Sequence, residues 1–156
     1  MYINIRRLTE DDCYDLWVWR DHPQVREWCF DKDAIDYVEH KGWFKAKFNN
    51  QDVKMYIAEI EDAQKIGQVR FDKDRDQKWY ININLNPQFL GRGLGNKIIR
   101  IASDYFFNEE NSANEIVAQV KDKNQASLKA FEKAGFVYLD QLKNDNGSIK
   151  ILTYSR

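Results

Sequence analysis

The stretch Leu85-Asn86-Pro87-Gln88-Phe89-Leu90-Gly91-Arg92-Gly93-Leu94-Gly95-Asn96-Lys97 joins a strand pattern to a helix pattern through three glycines at alternate positions. Glycine tolerates backbone conformations that turn successive amides into one concavity, and the first turn of a following helix adds unpaired N–H groups and the positive dipole end. Such a loop either binds a phosphate or pyrophosphate, or is only a tight turn for close strand–helix packing. A Walker loop is excluded, because it needs Lys and then Ser or Thr after its last glycine and Gly95 is followed by Asn96-Lys97. A dinucleotide fingerprint is excluded too, since Gly91, Gly93 and Gly95 are spaced GxGxG with Asn96 in the place of the third glycine.

Upstream of the loop, period-two patterning predicts strands over 53–60, 65–72 and 78–85. Short polar turns join them, so they are antiparallel neighbours. In the third, Ile81, Ile83 and Leu85 share one face and Tyr80, Asn82 and Asn84 the other. Residues 2–8 read as a short strand, and Thr9, with Asp12 at the reciprocal position, caps a helix carrying Leu16, Trp17 and Trp19. That helix ends before Pro23. Asp33 is the expected cap of a second helix, in which Tyr37, His40, Phe44 and Phe48 form one stripe and Gly42 costs roughly 1 kcal/mol relative to Ala.

Downstream, Leu94, Ile98, Ile101 and Tyr105 predict one apolar stripe of a helix. A strand over 115–120, a helix over 124–134 capped by Asn124 and stopped at Gly135, and a strand over 136–142 follow. The hairpin turn Asn144-Asp145-Asn146-Gly147 leads into a last strand over 148–154. The order β-α-α-β-β-β-α-β-α-β-β describes one α+β domain over residues 1–156.

Composition narrows the function classes. The 156 residues, 43% hydrophobic, supply one core. With 24 Lys+Arg against 25 Asp+Glu, the net charge of −1 offers no bulk attraction for nucleic acid. No window approaches the ~18 apolar residues of a membrane span, and the start carries no secretory signal, so no membrane partner and a cytoplasmic location are expected. The two cysteines, Cys13 and Cys29, and the two histidines, His22 and His40, fall in no metal-binding spacing, and no metal is expected.

Gln88 to Gly93 matches the QxxGxG motif of the GNAT superfamily of acyl-CoA-dependent N-acyltransferases. Asn124-Gln125-Ala126-Ser127-Leu128-Lys129-Ala130-Phe131-Glu132-Lys133-Ala134-Gly135-Phe136 resembles that superfamily's Asn, helix, Gly-Phe signature, and the resemblance covers essentially the whole chain. It implies the GNAT fold, a mixed, mostly antiparallel twisted sheet of about seven strands flanked by about four helices. It also implies acetyl-CoA as co-substrate. The pantetheine arm would pair with the fourth strand near Ile83 and Leu85, and Leu90, Gly91, Arg92, Gly93, Leu94, Gly95 and Asn96 would hold the pyrophosphate beside Gln88. Asn124 would hydrogen-bond the pantetheine, with Ser127 and Phe131 on the same helix.

Transfer in the family is direct: a neutral amine attacks the thioester while a strand N–H steadies the oxyanion. An acyl-enzyme on Cys13 or Cys29 is disfavoured, since neither falls in a motif. Many members carry a tyrosine where this chain has Phe131, so the thiolate leaves with a proton from water or from Tyr80, Tyr105 or Tyr138. The base candidates are His40, Glu39, Glu59 and water relays through Tyr80 and Asn82, and His40 also reads as a substrate contact or as a helix-surface histidine against Trp43 or Phe44.

Trp19-Arg20-Asp21-His22-Pro23, Glu39-His40-Lys41-Gly42-Trp43-Phe44 and Ile66-Gly67-Gln68-Val69-Arg70-Phe71-Asp72 look like the branch that acetylates nucleotide-linked aminosugars, such as that of the pseudaminic-acid pathway. Arg20, Arg26 and Arg70 would then meet a diphosphate, and Trp17, Trp28 or Trp43 a base. Acetylation of ribosomal-protein N-termini or of small amines, and a catalytically silent acyl-CoA sensor, are the alternatives. A homodimer stays open, because exposed aromatic patches and a filled acceptor pocket look alike in one dimension.

Overall fold

Seven strands form one sheet in the order β1-β2-β3-β4-β5-β7-β6. The structure is a computed structural model, and it describes residues 1–145 and 147–156. The strands are β1 (Asn4–Arg7), β2 (Val53–Ile60), β3 (Gln64–Lys73), β4 (Trp79–Leu85), β5 (Glu115–Lys121), β6 (Val137–Asn144) and β7 (Gly147–Ser155). The helices are α1 (Cys13–Asp21), α2 (Pro23–Arg26), α3 (Tyr37–Phe48), α4 (Gly95–Glu109) and α5 (Gln125–Ala134). Asn146 of the expected hairpin turn lies outside the described residues.

The sheet is covered on both faces, and β2 shows why. Met55, Tyr56, Ile57 and Ala58 are all buried in succession, although alternate residues of a strand point to opposite sides. Tyr56 and Ala58 join the larger core with Val69, Phe71, Ile98 and Phe106, where Phe71 and Phe106 stack with centroids 4.3 Å apart. Met55 and Ile57 join a smaller core with Leu16 and Trp19 of α1 and Phe44 of α3. Helices α4 and α5 therefore cover one face and α1 and α3 the other.

The expected sheet and flanking helices are present, with one further short helix, because Pro23, which stops α1, occupies the first turn of α2 while His22 Nδ1 accepts from the Gln24 N–H at 3.2 Å. Two details differ from expectation. The cap of α3 is Asp36 and not Asp33: its Oδ2 accepts from the Val38 N–H at 3.1 Å. Residue 35 is tied to α1 at both backbone groups, its carbonyl by Trp17 Nε1 at 2.7 Å and its N–H by Asp21 Oδ1 at 3.1 Å, so the helix starts only beyond it. On α4 the buried columns are Ile98, Ala102 and Phe106 beside Ile99, Ser103 and Phe107, while Ile101 and Tyr105 lie at the margin. Packing against both the sheet and α5 turns the helix by about one position from the expected stripe.

Asp12 ties the first strand to this frame. It is 1% exposed and takes Arg6 Nη1 and Nη2 at 2.9 Å each, the Thr9 N–H at 2.8 Å and Lys65 Nζ at 2.7 Å. Burial alone would raise its pKa, but the hydrogen bonds from Arg6, Lys65 and Thr9 outweigh burial and hold the carboxyl well below the ordinary carboxylate range. Because the folded pKa is depressed, the stabilisation is present above the unfolded value near 3.8 and drains away as pH falls below it. Asp12→Asn is expected to cost about 2–3 kcal/mol, discounted because Arg6 and Lys65 are partly hydrated. Urea unfolding at pH 7 and pH 3 checks this: the gap between wild type and variant should be large at pH 7 and shrink at pH 3.

Candidate functional site

Strands β4 and β5 run parallel but pair only at Trp79↔Ile116 and Tyr80↔Val117. Beyond these residues each keeps only its outer neighbour, β3 for β4 and β7 for β5, and the sheet opens into a V. The Asn86 N–H donates to the Ile66 carbonyl at 2.9 Å, so by antiparallel alternation the N–H groups of Asn84 and Asn82 face β3. The Ile81 N–H still meets β5 at the last bridge, and those of Ile83 and Leu85 face the opening. A cleft of about 1020 Å³ fills the V and extends beneath α1 and α3.

The loop predicted to carry the chemistry closes one end of this cleft. Gly91 and Gly93 adopt φ of 73° and 70°, which an L side chain rarely takes, and a Cβ at either would face open space. Among the described residues, no protein acceptor takes any backbone N–H from residue 91 to residue 97. The loop is thus no self-satisfied packing turn. Its amides, together with the α4 N-terminus, form a cradle for an anion. Leu90, Gly91, Gly93, Leu94, Gly95 and Asn96 line the cleft. Arg92 does not: its guanidinium lies 5.0 Å over the Phe89 ring. Nor does Gln88, whose backbone N–H donates to Asn86 Oδ1 at 3.1 Å in the turn after Pro87.

Across the V from Ile83 and Leu85 of β4 stand Asn124, which precedes α5, and Ser127 and Phe131 of α5, all of them lining residues. Asn124 caps α5, its Oδ1 accepting from the Ser127 N–H at 3.1 Å, so the other end of its carboxamide is the part left for a ligand. Phe131 is buried edge-on to Phe136, with centroids 5.0 Å apart.

The other arm of the cleft is lined by Arg20, His40, Trp43, Arg70 and Asn82. His40 is a correction to the helix-surface reading: it is 3% exposed, between Trp43 at 5.5 Å and Tyr37 at 6.3 Å. Its Nε2–H donates to the Cys13 carbonyl at 2.9 Å, which leaves the lone pair on Nδ1. Burial pushes its pKa below the ordinary value, so the imidazole is neutral at pH 7. Arg70 lies 5.2 Å over Trp43 and donates to Asp72 Oδ2 at 2.7 Å. Arg20 Nη2 donates to the Asp31 carbonyl at 3.2 Å, while its buried Nη1 has no partner among the described residues.

Tyr80 is the second correction. It stands at the closed base of the V, outside the lining, beside Asp74 of the β3–β4 turn, and burial and that carboxylate raise its pKa. Glu59 is also elsewhere, paired with Arg6 at 3.1 Å. Burial raises the pKa of both thiols, Cys13 and Cys29, making each a poor nucleophile at pH 7.

Among the lining residues that the sequence gives no role are Gln68 on β3 and Lys121 at the end of β5, whose Nζ donates to the Cys29 carbonyl at 2.7 Å. Gln68 sits in register with Asn84, a pairing that needs the β3–β4 alignment to be seen. Among the described residues there is no cluster of metal-ligating side chains, and no helix is long and apolar enough to cross a membrane.

Residues 3–137 match the family model described as an acetyltransferase (GNAT) domain. The chain belongs to that family of acetyltransferases. The uncharacterized protein MJ1062 of Methanocaldococcus jannaschii is 25% identical over 136 residues, which cover 86% of this chain and 28% of that protein. An aminoglycoside N(6')-acetyltransferase type 1 of Klebsiella pneumoniae is 22% identical over 149 residues, 86% of this chain and 73% of that enzyme. Similar folds are found in aminoglycoside acetyltransferase AAC(6')-Ib with coenzyme A and kanamycin (TM-score 0.83, 20% identity, 99% of this chain and 95% of that one). The spermidine N-acetyltransferase of Vibrio cholerae with CoA and spermine gives a TM-score of 0.87 at 17% identity, over 98% of this chain and 95% of that one.

Gly93→Asp is expected to weaken CoA binding by at least about 10-fold, combining a strained φ with a carboxylate in the cradle. Titration calorimetry with CoA measures this. Unchanged affinity would remove the loop from the coenzyme site.

Proposed function

We propose that this chain transfers an acetyl group from acetyl-CoA directly to a primary amine, and that the amine belongs to a nucleotide-linked aminosugar. The observation that carries the first part is the row of unpaired amides at residues 91–97, at the mouth of a V whose β4 edge turns the N–H groups of Ile83 and Leu85 inward. The loop would take the diphosphate, the β4 edge would pair with the pantetheine amides as an added strand does, and Asn124 would meet the same arm from the opposite wall. One of the inward β4 amides would receive the oxyanion of the thioester under attack.

No acid is drawn from Phe131. A thiol of pKa about 8.5 leaves tolerably as thiolate, and water supplies its proton. His40 is the base of this reading, with Nε2–H fixed on Cys13 and Nδ1 free to take the ammonium proton directly or through water held by Asn82. Its depressed pKa keeps it unprotonated at neutral pH.

The acceptor assignment rests on charge and rings. Arg20 and Lys121 line the acceptor arm with backbone carbonyls as their hydrogen-bond partners, which leaves their charge for an anion, and Trp28 and Trp43 line the same arm. Arg70, by contrast, is already neutralised by Asp72 and serves as a fixed donor on the Trp43 face. A second reading draws on Glu27, Asp31 and Glu39 in the same arm, which suit a cationic amine such as an aminoglycoside or a polyamine.

Release of free thiol from acetyl-CoA, followed with a UDP-linked aminosugar, kanamycin and spermidine, tests the proposal. The nucleotide sugar should give the highest kcat/KM, and Arg20→Gln should raise its KM about 10-fold. A higher value for kanamycin or spermidine would replace the acceptor, and no thiol with any of a wide range of amines would leave an acyl-CoA-binding sensor. The pH profile tests His40. Its acid limb should fall below pH 6.5, in line with the lowered pKa, and His40→Gln should remove that limb. An unchanged limb in the variant would exclude His40 as base.

A further inference from the structure

Gln68 lies on β3 opposite Asn84 of β4 and two residues from Arg70, on the polar sheet face that floors the acceptor arm. It is 1% exposed, yet its Nε2 has no acceptor among the described residues. A buried carboxamide donor that finds no partner loses its hydration without return, whereas an apolar side chain of similar length would pack there at no such cost. Its neighbours on the floor differ in this respect, since Arg70 is held by Asp72 and Trp43. A second unpaired donor, Arg20 Nη1, belongs to the same arm. Both are donors, so the chemistry they lack is an acceptor atom.

We propose that Gln68 is a specificity-determining residue of the acceptor arm: its Nε2–H donates to an oxygen of the incoming amine substrate and holds that substrate over the open edge of β4. This rests on the reading that the acceptor arm receives an amine. An aminosugar brings hydroxyl, ring and phosphoryl oxygens to such a donor. A protonated polyamine brings only N–H groups, which meet the carboxamide oxygen of Gln68 and leave its buried Nε2–H unpaired. Gln68 therefore selects oxygen-bearing amines over bare polyamines.

The test compares the full chain with Gln68→Met and Gln68→Glu. It measures the urea unfolding midpoint, CoA affinity, and kcat and KM with a UDP-linked aminosugar, kanamycin and spermidine. Gln68→Met should unfold at the same or a higher urea concentration, because a buried donor without a partner has been removed, and should keep CoA affinity. Its KM for the two oxygen-bearing amines should rise at least about 10-fold with a smaller change in kcat, and its kcat/KM for spermidine should be unchanged. Gln68→Glu should shift preference towards spermidine by about 10-fold. A lower midpoint for Gln68→Met, or an equal loss for all three amines, would mark Gln68 as structural and overturn the proposal. If the wild-type chain binds CoA but acetylates none of the three, the acceptor assignment fails and the substrate role of Gln68 falls with it, whereas selective acetylation by the wild type with an equal loss for all three in Gln68→Met overturns the role of Gln68 alone.

Discussion

The parting of β4 from β5 after Tyr80 is the constraint on which the site depends. Each strand has a complete partner on its outer side, so the parting gives up only the inner ladder. Even so, the inward N–H groups of Ile83 and Leu85 lose sheet partners, and backbone groups withdrawn from both sheet and water are costly. A ligand with amides of its own, laid along that edge, restores what the sheet gave up.

The rest of the fold keeps the V open and fills its two arms differently. The larger core, with Phe71 on Phe106, fixes α4 against β3 and β4 and so sets where the glycine loop ends. The smaller core, with Trp19 and Phe44, sets α1 and α3 against the other face, carrying Arg20, His40 and Trp43 to the second arm of the cleft. Asp12, joined to Arg6 and Lys65, binds the start of the chain to β3 and holds the base of α1. The two arms of the cleft are thereby built from opposite faces of one sheet and meet where that sheet divides.

Much of this was legible from local pattern. Alternation located the meander, the spaced glycines marked the loop, Asn124 and Gly135 bracketed α5, and Pro23 broke α1, because each signal acts within a few residues of its effect. What was missed depends on distant partners. Three aspartates preceded α3, and only the bonds of residue 35 to Trp17 and Asp21 select Asp36 as the cap. Tyr80 and Asn82 are alike in strand position, and the site of parting leaves Tyr80 below the opening while Asn82 stands within it. His40 fits a base, a substrate contact or a helix-surface residue in one dimension, and only its packing between Tyr37 and Trp43, with Nε2 on the Cys13 carbonyl, shows it buried. Gln68 carries no motif, and its unpaired amide has meaning only once β3 is set beside β4.

The account stands or falls on whether the amides of the glycine loop hold the coenzyme's diphosphate. Backbone amide NMR of the labelled chain, before and after CoA, reads each of them separately. Gly91, Gly93 and Gly95 should shift strongly and become protected from solvent exchange, with Ile83 and Leu85 moving beside them and the β1 amides still. Saturation with CoA that leaves the three glycine amides in place and still exchanging freely would contradict the account.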